Sequence, residues 1–291
     1  MTDNGMKSIY QKRTRIGDNV LKALIYLAAG VAIALLVGIM GYVFVRGLPQ
    51  VSWQFLSTVQ SSLKGTFGIL GNIINTIYII VITLIIAAPI GIGSAIYLNE
   101  YAKPGKLVRT IEFTTEILSG IPSIIFGLFG MVFFGMTLKL GYSVLTGSFT
   151  LTLMVLPLIT RNTQEALKTV PDSYRSGALG IGATKWYMIR TILLPSAAPG
   201  ILTGVILSIG RIVGESAALL FTAGSGFQLL KNLFGKLFES SGTLTIQLYL
   251  SMQKAKYDQA FGIAVVLLII VLGINLLTRF LTNRFDVTKL K

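Results

Sequence analysis

Long unbroken apolar runs constrain this chain more than any other feature. A helix needs about 20 apolar residues to cross a hydrocarbon core ~30 Å thick. Inside lipid the backbone must satisfy its own hydrogen bonds, so a run of that length is read as a helix. Six stretches qualify: about Ala23 to Val45, Ile69 to Leu98, Ile111 to Thr137, Tyr142 to Thr160, Ala197 to Thr222 and Gln259 to Leu281. The first is too long for the core of a signal peptide and reads as an anchor. Pro89 and Pro122 fall inside the second and third, where a neighbour or water must satisfy the freed carbonyls. The expected fold is an all-α polytopic membrane protein with six transmembrane helices.

Charge supports that reading. Only 12% of the residues are charged, about half the share of a soluble domain. The net charge of +14 could suggest nucleic acid, but the basic residues fall in the gaps between apolar runs rather than on one element. Placing the N-terminus inside puts 17 Lys and Arg on the inner side, Arg279 at the inner end of the last span among them, and seven on the outer, with Arg211 left over in the membrane. The positive-inside rule therefore places both termini in the cytoplasm. Cys and His are absent, which removes thiolate and imidazole chemistry and the usual zinc sets. No P-loop is present, so this chain does not hold ATP in that manner.

Two connecting segments are too long to be turns. In the inner one, Arg161 to Pro195, Thr169-Val-Pro-Asp reads as a helix entry and Gly180 and Gly182 as a break. A second short helix, Ala183 to Leu194, is expected to end at Pro195. In the outer one, Ala223 to Asp258, the stretch KNLFGKLF reads as amphipathic and suited to an interface or a vestibule.

The inner segment carries a spaced motif. Ser176-Gly177-Ala178, then Gly182, then Ile192-Leu-Leu-Pro195 resembles the E-A-A, three residues, Gly, nine residues, I-x-L-P signature of binding-protein-dependent ABC importer permeases. Every spacing is met, but Ser176 stands where the signature has Glu. The resemblance implies a type I (MetI-like) permease core over residues 68–284, with an ATPase-docking loop at about 161–195. It leaves residues 1–67 as basic N-terminus, first helix and outer loop, and 285–291 as a cytoplasmic tail. PIGIGSAIYLNEYA, EILSGIPSIIFGLFG and GRIVGESAALLFTAG are similar to stretches of phosphate-importer permeases, and LLFTAG leans toward their PstA-type subunit. That likeness implies a homologous PstC-type partner in a heterodimer, an ATPase dimer that binds the ATP and Mg, and a phosphate-binding protein, in a bacterial or archaeal cell membrane. No cofactor on this chain and no nucleic-acid partner are expected.

Arg211 and Glu215 are the charges that need explaining. On a continuous helix, positions four apart share a face. A charge turned to lipid there costs from ~3 to over 10 kcal/mol. The pair must face protein or water, either as a mutual ion pair fixing helix packing or as part of a translocation path. Guanidinium suits the second use, because its planar fork matches two oxyanion oxygens and it is more readily desolvated than an ammonium. Glu215 would then hold Arg211 at rest and yield it to a passing anion. Arg161, at the inner end of the fourth span, is a second candidate for the path or a lipid-headgroup contact. Pro122 and Ser123 offer the path a carbonyl and a hydroxyl, or are a plain kink, and Ser216, beside Glu215, is a further candidate for the path. Glu112 and Glu116 share a face at the inner end of the third span and carry no expected role. Gly204, Gly210 and Gly214 are expected to admit a close neighbouring helix. An ATP-driven permease, for phosphate or for another oxyanion such as sulfate or molybdate, ranks above a stand-alone anion channel. An intramembrane enzyme using Glu215 ranks below both, for want of a convergent partner.

Overall fold

The structure, a computed structural model, describes residues 16–61, 66–103, 105–229 and 232–285. The basic segment up to residue 15, Lys64, Lys231 and the tail from 286 lie outside them. Two units emerge, residues 1–46 and 47–291. The described residues of the first unit form one helix, α1 (Ile16–Gly47). Its apolar residues are spread around the whole circumference of the helix, the pattern of a membrane span.

The second unit begins with α2 (Trp53–Ser57) and a two-stranded antiparallel ribbon, β1 (Val59–Ser61) with β2 (Thr66–Ile69). Then follow α3 (Leu70–Ile96), α4 (Lys106–Gly120), α5 (Ser123–Gly130) and α6 (Val144–Lys168). A connecting loop carries α7 (Asp172–Gly180) and α8 (Lys185–Met188), and α9 (Leu194–Gly214), α10 (Ala217–Thr222), α11 (Leu244–Gln253) and α12 (Tyr257–Phe285) complete the chain. Among the described residues, five helices can cross a membrane by length and composition, or six if α4 and α5 make one broken span.

α6 is the central helix, packed against both α3 and α9. On α3 the buried positions Asn72, Asn75, Thr76, Ile79, Ile80, Thr83, Ala87, Gly91 and Ala95 form one stripe at helical spacing, while Ile77, Val81 and Ile85 point outward. The outer face is as apolar as the inner, so oil-like burial does not hold these helices together; close packing does. α9 meets α6 through Gly204, where an added Cβ would lie 2.6 Å from the Asn162 Cβ. Gly210 and Gly214 have open space at that position, so of the three glycines expected to admit a helix only Gly204 does so within this chain.

Three local expectations change. The third apolar stretch is not one kinked helix: α4 and α5 meet at 103°. Proline disfavours the helical region for the residue before it, and Ile121 is extended (φ −71°, ψ 132°), as is Pro122 (ψ 137°). Two extended residues in succession turn the chain instead of bending it. Pro195, in turn, does not end a helix. Residues Lys185–Gly214 run as one 30-residue helix, widened into a π-turn at Ile189–Leu193 just before Pro195, so the proline falls where the hydrogen-bond ladder is already shifted and the helix continues past it. The KNLFGKLF stretch, finally, is turned inside out. Lys236 is 1% exposed, its Nζ donating to the Gln228 carbonyl at 3.0 Å and to Glu239 at 3.3 Å, while Leu233, Phe234 and Phe238 point outward.

Gly204→Val should therefore wedge α6 from α9 and destabilise the protein by about 1–3 kcal/mol, seen as a lowered Tm in detergent. Gly210→Ala should leave the Tm unchanged.

Candidate functional site

The motif Gly214-Glu215-Ser216 breaks the helix that sequence periodicity would continue. α9 stops at Gly214, and Glu215 is extended (φ −80°, ψ 125°). Its Oε1 accepts the Ala218 N–H at 3.0 Å, capping α10, and its carbonyl accepts from the Thr245 hydroxyl at 2.8 Å. Glu215 is 9% exposed, and its Oε1 and carbonyl are both used at the junction of the two helices. The face shared with Arg211 disappears with the helix, and no ion pair joins the two among the described residues. Glu215 is thus a cap, not the resting partner of Arg211. Ser216, half-buried, occupies the turn before α10.

Arg211 points elsewhere. It lines a cleft of about 250 Å³ with Thr115 and Ser119 of α4 and Pro157, Arg161, Asn162 and Glu165 of α6. A second cavity of about 290 Å³ shares Thr115, Arg161 and Glu165 and adds Leu98, Glu112, Glu116, Gln164 and Lys168. The two share part of one wall, with Arg211 on the first and Lys168, the last residue of α6, on the second. Arg161 stands on that shared wall, 3.7 Å from Glu165, with both side chains more than half exposed. An exposed i,i+4 pair of this kind contributes little to stability, about 0.3–0.5 kcal/mol. Glu112 and Glu116, for which no role was expected, are part of the wall. Pro122 and Ser123 line neither cavity, and the Pro122 carbonyl accepts the Ile125 N–H at 3.0 Å.

The loop beyond α6 folds into a stub. Ala178 is buried among Leu167, Val170, Met188, Ile189 and Leu193. Gly182 lies in the left-handed region (φ 85°), with its N–H on the Leu179 carbonyl and the Ala183 N–H on the Ala178 carbonyl; only glycine takes that turn without strain. Ser176 and Gly177 are exposed, the Ser176 hydroxyl donating to the Asp172 carbonyl at 3.1 Å. Leu179, Ile181, Trp186 and Tyr187 are all at least half exposed, Ile181 at 88%, giving the stub an apolar crown.

One anchor of this stub is invisible to motif reading. Arg175 donates through Nε and Nη2 to Glu100, at 3.0 Å for the shortest contact, and through Nη1 to Asp172 at 3.0 Å. It also donates to the Val170 and Leu167 carbonyls at 2.9 Å each. The hydrogen bond to Glu100 raises the Arg175 pKa above the ordinary arginine value, against a smaller effect of burial. Glu100 lies 75 residues away in sequence, and no local spacing connects the two.

Comparison with known proteins decides the family. The model for "Binding-protein-dependent transport system inner membrane component" matches residues 87–288. The chain belongs to that family. A probable ABC transporter permease, YqgI of Bacillus subtilis, is 35% identical over 92% of this chain and 95% of its own length. The phosphate transport system permease protein PstA of Mycobacterium leprae is 32% identical over 94% and 91%. In fold, a subunit of a bacterial alginate ABC transporter, solved with its alginate-bound periplasmic protein, superimposes with a TM-score of 0.70 at 15% identity, over 93% of this chain and 96% of that one. The protein is thus a multi-pass permease component of an ABC importer system, and the ATPase of such a system is a separate subunit.

Capping sets an expectation for this permease. Glu215→Ala leaves the buried Ala218 N–H without a partner and should cost about 1–2 kcal/mol. Glu215→Gln, whose amide oxygen still accepts, should cost much less. Thermal unfolding in detergent separates them. Arg211→Gln should leave the Tm as it is, because Arg211 pairs with no carboxylate among the described residues.

Proposed function

We propose that this permease is one of two homologous membrane subunits of an ATP-driven importer of inorganic phosphate, the PstA-type partner of a PstC-type chain. It sits in the bacterial inner membrane with both termini cytoplasmic. The α7–α8 stub, on the cytoplasmic side, docks an ATPase dimer through its apolar crown, while a phosphate-binding protein delivers the anion at the other face. ATP and Mg²⁺ bind the ATPase, and this chain needs no cofactor.

The observation that carries the substrate class is the pair of guanidiniums on one cleft. Arg211 enters it from α9 and Arg161 from α6. An oxyanion that sheds water on entering a low-dielectric path needs replacement donors, and a guanidinium offers them in a planar fork that stays charged at any relevant pH. Phosphate is favoured because curated relatives about a third identical over most of this chain carry that name. Conduction also requires escape. Glu165, rather than Glu215, is placed to promote it. Its weak pairing with Arg161 competes with the anion for the same donors and restores the empty state behind it.

The test is uptake of labelled phosphate into proteoliposomes holding both permeases, the ATPase and the binding protein. Arg211→Gln should cut uptake at least about a hundredfold with assembly intact, and Arg211→Lys should retain part of it. Normal uptake by Arg211→Gln refutes the proposed path, and uptake of sulfate in preference to phosphate refutes the substrate.

A further inference from the structure

α3 is tied to loops at both of its ends. At one end Asn72 donates to the Gly242 carbonyl at 2.9 Å and Asn75 to the Gly226 carbonyl at 3.2 Å. The Leu244 N–H donates to the Thr76 hydroxyl at 3.0 Å. Gly71 sits so close to the same segment that an added Cβ would lie 2.1 Å from the Phe227 carbonyl oxygen. At the other end, α3 runs into a π-turn, Tyr97–Tyr101, whose last two residues hold the α7–α8 stub. Glu100 grips α7 through Arg175, and the Tyr101 ring lies 5.0 Å beneath the Lys185 ammonium of α8.

The Glu100–Arg175 contact is built more tightly than an anchor requires. The Glu100 side chain is 4% exposed and that of Arg175 is 19%. Asn99 donates to Glu100 at 2.7 Å, and all three guanidinium nitrogens are engaged, on Glu100, Asp172 and the two carbonyls at the end of α6. The apolar cluster around Ala178, Met188 and Leu193 already packs the stub against the bundle. A buried ion pair adds little net stability over an apolar pair of equal volume. What it adds is direction, a fixed distance and angle between the stub, α6 and α3.

We propose that Glu100 and Arg175 are positioning residues for transport: they form the joint through which displacement of the α7–α8 stub reaches α3, and through Asn72 and Asn75 the loop at its opposite end. This rests on the reading of the chain as an ATP-driven permease, but not on which anion it carries. The joint lets events at the ATPase reach the loop at the far end of α3 without a contact between them.

The chain has no cysteine, so a thiol introduced by Phe234→Cys, at an exposed position of the far loop, takes a single environment-sensitive fluorophore. The assembled complex, with ATPase and binding protein, is read in proteoliposomes for labelled-phosphate uptake, for ATP hydrolysis and for fluorophore response to ATP, and in detergent for retention of the ATPase on purification. In the Glu100→Gln and Arg175→Lys backgrounds the ATPase should stay bound and hydrolyse ATP within about twofold of the parent. The fluorophore response should fall at least about fivefold, and the ATP consumed per anion imported should rise at least about tenfold. Tyr101→Leu, on the half-exposed side of the clasp, should show a smaller loss of the same kind. An undiminished response overturns the proposal. So does release of the ATPase with hydrolysis and response lost in proportion, which makes the pair an anchor only. Failure of the parent complex to import phosphate while its fluorophore still answers ATP counts against the phosphate reading and leaves the joint measurable.

Discussion

Lipid gives a helix the same apolar company that another helix gives, so association in this bundle depends on how closely backbones approach. α6 meets that condition on two sides. Gly91 of α3 lies against Ile159, and Gly200 and Gly204 of α9 lie against Ala166 and Asn162. These contacts fix the spacing of the three helices, and the spacing fixes where polar side chains fall. Asn162, pressed against Gly204, belongs also to the wall of the cleft that holds Arg161 and Arg211. Helix packing and the cleft wall thus meet at one residue of α6.

Charge is handled differently at each place it enters the bundle. Glu100 and Arg175 neutralise each other almost out of water. Glu215 commits its carboxylate to a backbone N–H at a helix start, where the helix dipole favours a negative group. Arg211 receives neither treatment and opens onto a cavity. The fold pairs or caps these other charges and leaves this guanidinium facing a cleft, the contrast on which the proposed path rests.

What the sequence made legible was whatever depends on residues near one another along the chain. Apolar runs located the spans, and the spacing from Ser176 to Pro195 located the stub together with its turn at Gly182. Periodicity alone misread the region around Arg211, because Gly214-Glu215-Ser216 carries a break signal that an otherwise apolar run masks. Pro122 looked like a kink, yet the extended conformation it forces on Ile121 was enough for a near-right-angle turn. Lys236 looked like the polar face of an amphipathic stretch and instead became its core, because the Gln228 carbonyl and Glu239 supply what water would have supplied. The Glu100–Arg175 pair lay beyond reach altogether. Each residue reads alone as a charge at a membrane boundary, and only the packing of α3, α6 and α7 makes them partners.

The unbroken passage from α8 through Pro195 into α9 has an angular consequence. Each residue advances an α-helix by about 100°, so the compass bearing of Arg211 relative to Trp186 is set by residue count, with the π-turn entering as a fixed offset. Removing or adding one residue anywhere between them would swing the guanidinium about a quarter-turn off the cleft while the stub kept its own orientation. Length variation that the surface loops absorb freely is therefore forbidden along this segment.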